Sequence, residues 1–190
     1  HLDFKLVDEQ NKSVPIGYPG ELLIRHRGDN PTKGFFDGYL KNPLATAEAW
    51  EDGWFHTGDV VRQDSDGTMC FVDRRKNVIR RSGENISALE VEAALSEDPC
   101  IALAVVCPVP DEIRGEEVMA CIILAPGTVA SAQAAESIVK GVLKLLSYFK
   151  VPGYVCFSNE LPLTASGKPR RADIKALAQK ALSDAACVDT

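Results

Sequence analysis

Two unbroken apolar runs, residues 101–106 and 118–124, stand on either side of a charged segment at 111–117. Each reads as a strand of a buried core. Residues 154–157 make a third such strand, and residues 77–81 read as one more. Helical signals fall between them. Ser87, with Glu90 three residues on, forms a capping box ahead of Leu89, Val91, Ala94 and Leu95. Residues 131–146 carry Ile138, Val139, Val142, Leu145 and Leu146 at helical spacing, and residues 172–182 supply a closing helix. Strand–helix–strand–strand–helix–strand–helix is a compact α+β order built on a three-stranded core sheet.

The first third differs. Residues 3–8 alternate weakly and residues 21–25 are a short apolar run, with Gly17, Pro19 and Gly20 between them. Asn42 and Pro43 open a short helix that Asp52-Gly53 closes. Two further strands, 57–62 and 68–73, flank the polar turn 63–67 and make a hairpin. The reading is a β-rich part over 1–73 and an α+β part over 74–190, with the boundary at 73–76.

Composition narrows the function. The 190 residues carry 21 Lys+Arg against 27 Asp+Glu, a net charge of −6, which disfavours non-specific nucleic-acid binding. No apolar run reaches the ~20 residues of a membrane span. The amino-terminal residues show neither a signal-peptide core nor a transit-peptide pattern, so the expected compartment is the cytoplasm. Six cysteines (70, 100, 107, 121, 156 and 187) form no C-x-x-C pair, and the three histidines are scattered. No metal site is expected, and the cysteines read as reduced structural thiols.

Four stretches hold more glycine, charge and turn chemistry than a scaffold needs. In Gly53-Trp54-Phe55-His56-Thr57-Gly58-Asp59, the carboxylate suits a ribose diol or merely closes a turn. Five basic residues lie between 74 and 81 with no acid among them, which suits either phosphate or a solvated edge strand. Residues 111–117 form a charged surface turn with Arg114 as its one base. In Ser166-Gly167-Lys168-Pro169, a flexible Lys sits on a small turn without the spacing of a P-loop.

Taken in order, these stretches resemble the carboxyl-terminal portion of the adenylate-forming enzymes, the superfamily of acyl-CoA synthetases, non-ribosomal peptide synthetase adenylation domains and luciferases. Gly20-Glu21-Leu22, Gly34-Phe35-Phe36-Asp37-Gly38-Tyr39, the 53–59 segment, Asp73-Arg74-Arg75-Lys76, Arg81-Ser82-Gly83-Glu84-Asn85-Ile86, Glu90-Val91-Glu92 and Ser166-Gly167-Lys168 carry the likeness. The run from Asp73 to Ser87 looks most like bacterial fatty-acid and carnitine-type CoA ligases. The resemblance implies a fragment: the last β subdomain of a large lobe, then a mobile small domain. The large lobe, with its ATP phosphate loop and acyl pocket, would be its partner, and the fragment alone would be inactive.

By the same resemblance, Asp59 and Arg74 would meet the nucleotide's ribose. Asn85 stands where many members place an Arg near the nucleotide. Lys76 occupies the hinge, and Lys168 matches the catalytic Lys of adenylation. Ser82, Gly83 and Glu84 line the pantetheine channel, and Arg114 aligns with a base that some members use on CoA; Arg80, Arg81 and Lys144 are further CoA candidates. Trp54 and His56 shape their loop. The implied substrates are a carboxylic acid, ATP (yielding AMP) and CoA, with Mg2+ held by the large lobe. Two alternatives stay open: an adenylation module loading a carrier protein, and a non-catalytic binding or regulatory domain.

Overall fold

The structure is a computed structural model describing residues His1–Thr190, and the chain divides into two units, His1–Lys76 and Asn77–Thr190. The first holds β1 (Leu2–Val7), β2 (Pro19–His26), α1 (Pro43–Ala49), β3 (Trp50–Glu51), β4 (Trp54–Gln63) and β5 (Met69–Arg74). All pair antiparallel in the order β1-β2-β4-β3, with β5 also on β4. Helix α1 begins where the sequence places it. Asn42 accepts the Ala45 N–H at 3.0 Å, and Pro43 occupies the first turn, where its missing N–H costs nothing.

The second unit holds β6 (Val78–Arg81), β7 (Glu84–Ser87), α2 (Ala88–Leu95), β8 (Ile101–Asp111), β9 (Gly115–Leu124), α3 (Ala132–Val142), β10 (Tyr154–Phe157), α4 (Arg171–Ser183) and β11 (Val188–Asp189). The strand order is β11-β10-β9-β6-β7, with β8 along β9. The three core strands are β8, β9 and β10, and the β6–β7 hairpin and β11 extend them. Pro108 and Pro110 fit within β8 because it pairs with β9 alone, leaving an outer edge where a missing N–H breaks no ladder.

The unbroken apolar runs follow from cover on both faces. Ala104, Val106, Val118, Ala120 and Ile122 pack with Val91 and Leu95 of α2 and Ile138 and Val142 of α3. Val105, Cys107, Met119 and Cys121, the alternate positions, pack with Ile174 and Ala178 of α4. Ser87 caps α2 by accepting the Glu90 N–H at 3.2 Å, and the Glu90 carboxylate reaches Lys150 Nζ at 2.6 and 2.8 Å. Helix α3 stops short of the expected 146. Its last turn tightens to i→i+3 bonds (Lys144 N–H to Gly141 O, Leu145 N–H to Val142 O), leaving Leu145 exposed. No helix is long and apolar enough to cross a membrane.

Candidate functional site

Asp59 owes its position to a bulge. Strand β2 pairs Glu21 with Val60 and Leu23 with His56, so one β2 residue faces the three residues Thr57, Gly58 and Asp59. A bulge re-aims the side chains it carries. Gly58 takes φ +71°, a conformation that favours glycine. Three bonds fix the loop: Thr57 Oγ1 donates to Leu22 O (2.7 Å), the Asp59 N–H donates to Thr57 Oγ1 (3.1 Å), and the Gly58 N–H donates to Glu21 Oε1 (3.3 Å).

On the other side of β4, Asp59 stands opposite Arg74 of β5. Arg74 Nε lies 2.9 Å from Asp59 Oδ1 as an ion pair, while Arg74 NH1 donates to Thr57 O at 3.2 Å. The approach to Oδ1 lacks hydrogen-bond geometry, so that buried oxygen has no hydrogen-bond partner. The pair is therefore a carboxylate with spare acceptor capacity beside a guanidinium that is 60% exposed. Trp54 and His56 brace this region. The Trp54 ring lies under Arg25 (4.2 Å) and Lys5 (4.7 Å), and His56 Nδ1 is 3.2 Å from Glu21 Oε2. Lys76 is exposed on the 3-10 turn Arg75–Asn77, the last residue of the first unit.

In the second unit, Ser82 (φ +52°) and Gly83 (φ +85°) form the two-residue turn of the β6–β7 hairpin, both with the positive φ of a type I′ turn. The Ser82 N–H donates to Arg114 O at 2.9 Å, and Arg81 pairs with Gly115. Ser82, Gly83, Glu84 and Arg114 thus come together at one exposed corner. Asp111 shapes the Arg114 loop by accepting the Arg114 N–H (2.7 Å) and the Ile113 N–H (2.9 Å). Those bonds, Arg114's first, hold its carboxyl below the usual carboxylate range. Asn85 is exposed on β7 opposite Arg80.

Lys168 lies on a separate loop between β10 and α4. The Thr164 N–H donates to Lys168 O (2.8 Å), the Lys168 N–H donates to Thr164 Oγ1 (3.1 Å), and Leu163 bridges Pro169. The backbone is pinned and the side chain is exposed. No group of three or more His, Cys, Asp or Glu is arranged to hold a metal ion.

The carboxyl-terminal domain family of the AMP-binding enzymes matches residues 90–168. A crotonobetaine/carnitine–CoA ligase of Proteus mirabilis (strain HI4320) is 40% identical over 162 residues, covering 85% of this chain and 30% of that protein. Residues 90–168 belong to that domain family, and the whole chain is similar to adenylate-forming enzymes. Among solved structures, an amide bond synthetase from Marinactinospora thermotolerans is 30% identical with a TM-score of 0.73, covering 93% of this chain and 34% of that one. An o-succinylbenzoate CoA synthetase from Bacillus subtilis, solved with its acyl-adenylate intermediate, is 26% identical with a TM-score of 0.75, covering 92% and 34%. This chain spans about a third of the length of such relatives.

The supporting roles of two residues are not evident from the sequence. Glu21 is 7% exposed and accepts from Arg75 NH1 (2.6 Å) as well as from Gly58. Glu117 is 1% exposed; its Oε1 lies 2.9 Å from Arg81 Nε and its Oε2 2.8 Å from Arg114 NH1. Arg81 NH1 also donates to Phe149 O and Val151 O, so this guanidinium is committed to the fold. Arg80 and Lys144 are exposed, and the Arg80 N–H donates to Glu116 Oε2 at 2.9 Å.

Proposed function

We propose that this chain is the carboxyl-terminal part of an AMP-forming acyl-CoA synthetase of the cytoplasm. In the first half-reaction a carboxylate oxygen attacks the α-phosphorus of ATP and pyrophosphate leaves. In the second the CoA sulfur attacks the acyl carbonyl, AMP leaves and the thiol proton passes to solvent. Lys168 carries the reading: its exposed ammonium, on a pinned turn, is available to an anion. Charge accumulates on the α-phosphate during in-line attack, and a positioned cation lowers that barrier.

Asp59 and Arg74 would hold the ribose, supported by the carboxylate's spare acceptor capacity. Asn85 is assigned to the nucleotide, and Lys76 to the hinge between half-reactions. Ser82, Gly83, Glu84 and Arg114 are assigned to CoA, supported by their gathering at one corner. Mg2+ accompanying ATP is assigned to the large lobe.

The test is ATP–pyrophosphate exchange by the full-length enzyme over a panel of carboxylic acids. Active acids are then offered with CoA, a carrier protein or an amine as acceptor. Exchange with at least one acid and product with CoA is the expected result. Zero exchange with every acid would favour a non-catalytic domain, and product with carrier protein or amine alone would reassign the acceptor.

Gly83→Leu should separate the two steps. A Cβ at Gly83 meets no atom within 4 Å, so the added side chain intrudes only on what the corner faces. The left-handed backbone adds about 1–2 kcal/mol of local strain. Thioester formation from supplied acyl adenylate should fall about tenfold or more, with adenylation held. Equal loss in both steps would remove the corner from the acceptor path.

A further inference from the structure

Cys107, Cys121, Cys156 and Cys187 gather on the α4 face of the second sheet, and all are free thiols. Strands β10 and β11 pair Tyr154 with Asp189 and Val155 with Val188. Continued one step, to the bend just before β11, that register would set Cys156 opposite Cys187. The Thr190 N–H donates to Gly153 O at 3.0 Å, marking 153/190 as a hydrogen-bonded position. Antiparallel positions alternate, so in a regular ladder 156/187 would be of the non-bonded, closer kind, for which Cα atoms stand about 4.5 Å apart. A disulfide needs about 4.4–6.8 Å.

The side chains also share a side. Val155 and Val188 pack into the core on the α2/α3 face, whereas Cys156 and Cys187 pack with the cluster on the α4 face. Cys187 is delivered there by the end of α4: Ala185 takes φ +49° and the Ala186 N–H returns to Ala181 O at 2.8 Å, closing the helix just before it. Cys121 also neighbours Cys156, across β9, but it is only 3% exposed.

We propose that Cys156 and Cys187 form a redox modification site, closing to a disulfide when the protein meets a low-molecular-weight disulfide. The Cys187 thiolate attacks one sulfur of the oxidant and releases one thiolate. The Cys156 thiolate then attacks Cys187 Sγ in the mixed disulfide and releases the second. The two cysteine protons pass to the two released thiolates, and the two electrons reduce the oxidant's S–S bond. The bridge ties β11 to β10. In a reducing compartment the pair rests open. Burial pushes the Cys156 thiol up to about 11 and raises Cys187 as well. The thiolate is the reactive form, so the rate should rise about tenfold per pH unit from 7 to 8.

The experiment exposes the full-length protein to oxidised glutathione at pH 7 and 8, alkylates the remaining thiols and maps the peptides. The expected product is a Cys156–Cys187 cross-linked peptide, formed faster at pH 8 and reversed by dithiothreitol. Cys156→Ser should instead leave a stable glutathione adduct on Cys187. Full alkylation of both thiols after oxidant, adducts that accumulate without bridging in the wild type, or a Cys121–Cys156 bridge would each overturn the assignment.

Discussion

Lys168→Ala in the full-length enzyme is expected to lower adenylate formation about 10²–10³-fold, equivalent to ~2.7–4 kcal/mol of lost transition-state stabilisation. The variant should keep its turn, because the bonds that hold the loop run between Thr164 and the backbone of residue 168, not its side chain. Thioester formation from supplied acyl adenylate should change far less. Single-turnover measurement of each half-reaction separates the outcomes. Comparable loss in both would mean that the ammonium is not directed at the phosphate in the first.

Glu117→Ala should be the most damaging change to the second unit. The carboxylate sits beside Arg81 and Arg114, and Arg81 is only 15% exposed. Removing one partner of a buried ion pair strands the other and costs about 3–5 kcal/mol. The melting temperature should fall by roughly 10–20 °C, read by calorimetry. Glu117→Gln, which keeps an acceptor oxygen, should recover part of the loss. A fall of under about 1 kcal/mol would place Arg81 and Arg114 in the class of weak surface pairs.

Features that announce themselves locally were legible in the sequence. The apolar runs became β8 and β9, Ser87 and Asn42 cap the helices they precede, and the polar turn at 63–67 joins β4 to β5. Strand β6 was legible at 77–81, but its hairpin partner β7 was not. The hairpin's strands carry Arg80, Arg81, Glu84 and Asn85, so period-two hydrophobicity is faint, and Ser82-Gly83 is a weaker turn signal than Asn-Gly. Strand β11 is two residues long, too short to show a period. Glu117 reads as one acid of a surface turn because nothing nearby in sequence reports the arrival of Arg81, 36 positions earlier. Glu21 is hidden in the same way, since its partner Arg75 lies 54 positions on. Motif order picked out Asp59 and Arg74 as candidates, but the bulge that aims the carboxylate depends on how β2 and β4 register.

The salt link between Glu92 and Arg171, at 2.7 and 2.9 Å, fastens the segment that follows Lys168 to α2. That helix continues directly from β7, the strand that leaves the Ser82–Gly83 turn. The lysine tip and the hairpin corner are therefore spokes of one wheel, tied through α2. Under the proposed function, selective kinetic damage to a single half-reaction should originate at a tip, whereas lesions in the hub should slow both.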